Sequence, residues 1–200
     1  MNLLANSQNL LPYDGEVYYL KDFLPEDRLT GYFDHLFNKI DWKNDEVWLF
    51  GKKITTARKT AWYGDQGLTY TYSKVSRTAL TWTGGLSELK NKIEETTGQQ
   101  FNACLLNLYH NGLEGVSWHS DNEKELGKNP VIASLSLGAE RNFVFKHKLT
   151  KQKVALCLAS GSLLVMKGTC QHHWVHALPK SKKVTQPRIN LTFRKIITNI

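Results

Sequence analysis

Long apolar runs are missing from this chain. No stretch approaches the roughly 18 consecutive apolar residues that a membrane-spanning helix requires, and residues 1–13 lack the basic start and apolar run of a secretory signal. We therefore expect a cytoplasmic protein, nuclear if its source is eukaryotic, with no membrane partner. Cysteine is scarce: Cys104, Cys157 and Cys170 are odd in number and show no CxxC spacing, which argues against both a disulfide framework and a zinc ribbon. Buried or reactive free thiols remain. There are only five prolines, and no linker, internal repeat or low-complexity tract interrupts the chain. Acidic residues are also in deficit, with 18 Asp and Glu against 26 Lys and Arg, so the formal net charge is +8. A field of that sign raises the local concentration of polyanions such as nucleic acid.

Aromatic residues are plentiful: six Trp, eight Tyr and eight Phe. With 41% hydrophobic and 22% charged residues, a chain of 200 can build one substantial core, and the composition argues against disorder. The expectation is one domain over residues 1–200, behaving as a monomer, with a helical and hairpin layer in residues 1–100 and a β-rich core in 101–200. Leu24–Ile40 reads as a helix. Pro25 suits its first turn, Glu26 and Asp27 its positive end, and Leu29, Phe33, Leu36, Phe37 and Ile40 make one apolar stripe. Ser87–Thr97 reads as a second helix closed by Gly98. Between them Val47–Tyr72 is basic and aromatic, with Gly51, Gly64 and Gly67 at hairpin turns. From Phe101 onward, short apolar or alternating runs follow one another at 101–109, 131–137, 143–145, 154–158, 162–166 and 189–197. That texture belongs to an antiparallel sandwich or barrel.

Chemistry enters with Trp118-His-Ser-Asp121. Residues two apart in an extended segment point the same way, so His119 and Asp121 can present an imidazole and a carboxylate to one ion. A third ligand must come from elsewhere, and His172, His173 and His176 are the candidates. Two imidazoles and a carboxylate leave three octahedral positions open, the arrangement used by non-haem iron(II) oxygenases, although zinc accepts the same ligands. The strand Arg188–Arg194 favours iron. Arg188, Asn190, Thr192 and Arg194 alternate there with Ile189, Leu191 and Phe193, so one face is core and the other carries two guanidinium groups. Buried arginines are expensive unless an anion meets them, and a dicarboxylate answers both. Their Cα atoms are about 20 Å apart in an ideal strand, so both side chains must lean together to share it. Asn107 and Tyr109 share a polar face in the same way, opposite Leu106 and Leu108.

Taken together, Asn107-x-Tyr109, His119-x-Asp121, Trp174-Val-His176-Ala-Leu-Pro and Pro187-Arg188-x-Asn-Leu-Thr-Phe-Arg194 resemble the AlkB family of nucleic-acid dealkylating dioxygenases. The likeness runs from Leu49 to Ile197. Tyr63-Gly-Asp and Gly67-Leu-Thr-Tyr-Thr-Tyr72 are similar to its DNA-repair branch. The resemblance implies a double-stranded β-helix, or jelly-roll, core with flanking helices and nucleotide-recognition hairpins. It also implies iron(II) held by His119, Asp121 and His176, and 2-oxoglutarate held by Asn107, Tyr109, Arg188 and Arg194, with Thr192 beside them. Arg188 and Tyr109 take the distal carboxylate in that assignment, and Arg194 and Asn107 the keto-acid end. The reaction implied is oxidative dealkylation of bases such as N1-methyladenine and N3-methylcytosine in DNA, with RNA as a further substrate class. It consumes O2 and 2-oxoglutarate and releases succinate, CO2 and an aldehyde.

A base inside a duplex must be flipped out to reach such a site. Tyr70, Tyr72 and Trp118 are candidate aromatic walls for it, and Glu123 and Arg58 candidate polar contacts. Phe50, at an apolar hairpin tip beside Lys52, Lys53, Arg58 and Lys59, is a candidate wedge that fills the vacated stack. The segment Lys146–Lys153 is shorter than the basic loop with which the duplex-repairing branch touches the undamaged strand.

Overall fold

The computed structural model describes residues 7–49, 52–72 and 75–197, with side chains described outside 45–54 and 70–77. Fourteen strands and three helices are found among these residues. The jelly-roll core is formed by β7 (Ala103–Tyr109), β8 (Val116–His119), β9 (Ile132–Gly138), β10 (Arg141–His147), β11 (Lys153–Leu158), β12 (Leu163–Lys167), β13 (Trp174–Leu178) and β14 (Arg188–Arg194). Apart from the β10–β11 hairpin, successive strands alternate between two sheets. The larger takes β12-β9-β14-β7 and the smaller takes β11-β10-β13-β8, with antiparallel pairing throughout these eight.

The first half of the chain extends the larger sheet on both sides. β1 (Glu16–Leu20) pairs with β12 at one edge. At the other, β3 (Lys52–Gly64) pairs with β7 and carries β2 (Lys43–Leu49) and β6 (Leu80–Thr81). β4 (Thr69–Tyr72) and β5 (Val75–Thr78) form a separate hairpin. Helix α1 (Glu26–Lys39) lies inside the expected span, with Pro25 as its extended N-cap residue. Helix α2 starts earlier than expected, at Gly84–Thr97. The hydroxyl of Thr83, not Ser87, accepts the Leu86 N–H, and Gly98 closes the helix at φ +67. Five strands escaped the reading, the short β5 and β6 beyond the basic hairpin region and three more. β1, β8 and β13 mix polar and apolar residues too closely to form a run.

Strand alternation divides the interior in two. On the outer side of the larger sheet, Leu106, Leu108, Leu135, Leu137, Leu163, Val165, Ile189, Leu191 and Phe193 pack against Leu36, Leu86, Leu89 and Ile93 of the helices. Between the two sheets, a second cluster gathers Val17, Ile132, Phe145, Leu158, Leu164, Met166 and Trp174. The polar face of β14 also looks into this inter-sheet space, and that placement builds the site.

Candidate metal and cosubstrate site

β8 and β13 are neighbours in the smaller sheet, and His119 stands opposite His176 in their register. Both rings therefore point into the sandwich from adjacent strands. Their Nε2 atoms are 3.1 Å apart, and Asp121 Oδ2 lies 3.6 Å from His176 Nε2. The three donor atoms all lie within 4.8 Å of one another. His119 Nδ1 is 2.9 Å from the Ser117 carbonyl, which assigns the ring proton to Nδ1 and leaves Nε2 free to coordinate. His176 is buried, stacked on Phe143 at 5.3 Å with Phe145 edge-on at 5.9 Å. Burial pushes its pKa down to about 3, against the pull of Asp121, so the ring is neutral near pH 7. Burial alone would raise the Asp121 carboxyl. The Arg194 guanidinium at 2.6 Å, aided by the two imidazoles, more than reverses this and holds Asp121 below the usual carboxylate range. The set offers two imidazole nitrogens and an anionic carboxylate, which fits a divalent ion with open positions.

Asp121 is anchored by groups that sequence reasoning missed. Its backbone N–H donates to Gln171 Oε1 at 2.9 Å, and Gln171 is fully buried. Lys148 Nζ donates to the Gln171 carbonyl at 2.9 Å and reaches Ser120 Oγ at 3.4 Å. Gln171 belongs to α3 (Cys170–His173), the short helix before β13, so this contact ties one ligand strand to the turn that feeds the other. Only its proximity to His172 and His173 in sequence hinted at it.

The inner face of β14 continues the site. Arg188 is opposite Tyr109, Asn190 opposite Asn107 and Ser136, and Thr192 opposite Ser134. Asn190 Nδ2 donates to Ser134 Oγ at 2.8 Å, Thr192 Oγ1 to Asn190 Oδ1 at 3.0 Å, and Asn107 Nδ2 to the same oxygen at 3.5 Å. Arg188 is 2% exposed, donates to Ser136 Oγ at 2.9 Å and lies 5.4 Å over the Tyr109 ring. Its Nε has no hydrogen-bond partner, and no carboxylate pairs with it among the described residues. Burial pushes its pKa down to about 10, and the guanidinium of Arg141 on the same tyrosine adds to the shift. Arg141 itself is satisfied, donating at 2.8 Å to the carbonyls of both Glu114 and Pro179. A buried cation with a spare donor and no counter-charge is the arrangement that an anionic ligand completes.

The two arginines of β14 do not lean together. Arg194 turns onto Asp121 while Arg188 stays with Ser136 and Tyr109, so each serves its own end of the polar face. The six-residue separation is spanned by Asn190 and Thr192 between them.

Of the expected base contacts, Glu123 joins the site. It lies two residues past Asp121, half-buried, with Oε2 unpartnered, and burial raises its pKa with a further push from Asp121. Trp118 does not join. Alternation along β8 turns it away from the face of His119, leaving it 41% exposed with Lys146 Nζ 4.2 Å over its ring. Its expected role as a pocket wall is corrected accordingly. Arg58 sits half-buried in β3, where the register with β2 shifts. Phe50 and Gly51 lie outside the described residues, as do the side chains of Lys52, Lys53, Tyr70 and Tyr72. His172 and His173 are exposed and apart from the triad.

Such a facial donor set beneath a jelly-roll's polar inner face agrees with the comparison against known families: residues 16–194 match the model of the 2OG-Fe(II) oxygenase superfamily, to which the chain belongs. Its cofactors are iron(II) and 2-oxoglutarate. Within that superfamily it falls in the DNA-repair branch of the AlkB proteins. It is 44% identical over 160 residues to the DNA oxidative demethylase ALKBH2 of Mus musculus, covering 76% of this chain and 67% of that protein. The human ALKBH2 is 45% identical over 159 residues, covering 76% and 61%. The human alpha-ketoglutarate-dependent dioxygenase alkB homolog 3 is 44% identical over 149 residues, covering 70% and 51%. The match thus spans about half to two thirds of these relatives. A solved structure of OsALKBH1 superposes with a TM-score of 0.61 at 15% identity, covering 90% of this chain and 97% of that one, and shares the fold.

Proposed function

We propose that this protein repairs DNA by oxidative dealkylation of bases such as N1-methyladenine and N3-methylcytosine, with His119, Asp121 and His176 as iron ligands. The observation that carries the reading is the unpaired, buried Arg188 at the far end of a polar face that begins at the donor trio. Arg188 and Tyr109 hold the distal carboxylate of 2-oxoglutarate, and Asn107, Thr192 and Arg194 line its passage toward Asp121. When bound, iron with its cosubstrate supplies the oxidant that hydroxylates the alkyl carbon, and the hydroxyalkyl group leaves as an aldehyde. The chain's residues do the rest. Arg194 keeps Asp121 anionic, the Ser117 carbonyl fixes the His119 tautomer, and the apolar wall of Phe143 and Phe145 keeps water from His176. Glu123 offers a carboxyl beside the site to a flipped base.

The names of the similar ALKBH2 proteins support DNA as substrate. RNA is the second reading, together with preference for a single strand. It rests on the β10–β11 connection, which has only residues 148–152 to reach an opposite strand. We place the protein as a monomer, acting in the nucleus if its source is eukaryotic. The test is a panel of methylated single-stranded DNA, duplex DNA and RNA oligonucleotides, incubated with iron(II), ascorbate and 2-oxoglutarate. Repair scored by product mass and matched by succinate is expected. Tight oligonucleotide binding without succinate would instead leave a binding module. Phe50→Ala is expected to slow repair of duplex more than of single strands, because only the duplex must be opened; equal slowing removes the wedge role.

A further inference from the structure

We propose that Asp14, His147 and His173 form a second divalent-metal site, of zinc type, separate from the triad of His119, Asp121 and His176. Their three donor atoms lie within 4.8 Å of one another, and they come from three segments that the backbone brings together. His147 is the last residue of β10 and stands opposite Trp174 in β13. The Lys148 N–H donates to the His173 carbonyl at 2.7 Å, so the ends of β10 and α3 are tied. The two imidazoles consequently lie nearly parallel, 12° apart with centroids at 6.1 Å.

Asp14 closes the third side at a cost in backbone freedom. Its φ is +53, in the left-handed region, and Gly15 follows at +153. A Cβ on Gly15 would meet Cys170 Cα at 2.7 Å, so the segment is pressed against α3 as only glycine permits. Tyr13 braces it: its ring sits edge-on to His147 at 5.1 Å, its hydroxyl bonds Gln152 Oε1 at 2.7 Å, and its carbonyl accepts the Trp174 indole N–H at 3.1 Å. The result aims Asp14 Oδ2 at His147 Nε2 from 3.3 Å.

That contact is out of line for a hydrogen bond. His147 is only 3% exposed, and its Nε2 has no hydrogen-bond partner. A buried ring nitrogen facing a carboxylate and a second imidazole, bonded to neither, suits a shared cation better than an ion pair. Ligands about 2.1 Å from zinc lie roughly 3.4 Å apart at the tetrahedral angle, close to the 3.3 Å between Asp14 Oδ2 and His147 Nε2. Thr150 governs the tautomer, with its amide N and its Oγ1 both 3.1 Å from His147 Nδ1. Without metal, Nδ1 accepts the amide N–H and Nε2 carries the proton. With metal on Nε2, the proton moves to Nδ1 and the hydroxyl accepts it, at the loss of one amide bond. His173, exposed at the end of α3, supplies the third ligand and water the fourth.

The experiment is calorimetric titration of the chelator-stripped protein with Zn2+. Two equivalents are expected for the unaltered chain, and one for Asp14→Asn/His173→Ala, whose altered side chains are both exposed. His119→Ala/Asp121→Ala is also expected to bind one, and Co2+ on that variant should show visible bands that vanish when Asp14→Asn and His173→Ala are added. Circular dichroism establishes that each variant is folded, and His173→Ala alone gives the same readout with the least disturbance. The proposal fails if the unaltered chain saturates at one equivalent. It also fails if Asp14→Asn/His173→Ala still takes two, or if the triad variant takes none.

Discussion

The two faces of β14 share one backbone and one set of neighbours, yet they do opposite work. Toward the helices, Ile189, Leu191 and Phe193 are wholly buried among leucines. Toward the smaller sheet, Arg188, Asn190 and Thr192 are nearly as buried among serines, asparagine and tyrosine, and Arg194 at the strand's end is partly so. Burial therefore does not separate core from site here. Satisfaction does: the apolar face is complete in itself, while the polar face keeps spare donors at Arg188 Nε and Arg194 Nε.

Substitutions on the two faces should come apart in experiment. The largest effect is expected from Asp121→Ala, which removes a ligand and the partner of Arg194; turnover should fall to background, read as succinate formed per enzyme. Arg188→Met should raise the KM for 2-oxoglutarate on the order of a hundredfold. Its melting temperature should hold or rise, since a buried unpaired cation is replaced by an apolar chain. A collapse in stability with KM unchanged would make Arg188 a core residue after all. Gln171→Leu tests the support of Asp121 and should weaken metal binding about 10–100-fold, measured by Mn2+ titration. On the apolar face, Leu191→Ala should cost about 2–5 kcal/mol in urea unfolding while leaving the KM for 2-oxoglutarate alone.

The smallest difference concerns pH. An unfolded histidine takes up a proton near pH 6.5, whereas His176 does so only at about 3 because it is buried. Between those values the unfolded state binds the extra proton, so the metal-free protein loses stability as pH falls from about 6.5 toward 3. Asp121, with its lowered pKa, adds a loss only at the acid end of that window. Melting temperatures of metal-stripped protein at pH 7.5 and 5 should show the drop, and His176→Leu should shrink it. An unchanged drop in that variant assigns the effect elsewhere.

The same strand explains what was legible beforehand. A period-2 pattern over Arg188–Arg194 names its two faces without any knowledge of neighbours, and His119-x-Asp121 works the same way. Runs of apolar residues also exposed β7, β9 and β12. The rest depends on partners far along the chain. Gln171 reaches Asp121 across 50 residues, and Asn190 reaches Ser134 across 56. Nothing in the local text of either marks the meeting. Trp118 shows alternation outranking aromatic character: the residue beside an inward histidine points outward. β8 and β13 went unread because their residues are chosen for ligation and for pairing in a small sheet, not for an apolar run.

The position of β14 within the larger sheet has a consequence for synthesis. The strand lies between β9 and β7, at the middle of the order β1-β12-β9-β14-β7-β3-β2, yet among the described strands it is the last to leave the ribosome. Until residues 188–194 emerge, the sheet is two half-sheets with facing open edges, and Asp121 has no arginine. The nascent chain therefore cannot gather its cosubstrate pocket piecemeal. One late insertion seals the sheet and completes the polar face together, so the protein gains its fold and its chemistry in a single event.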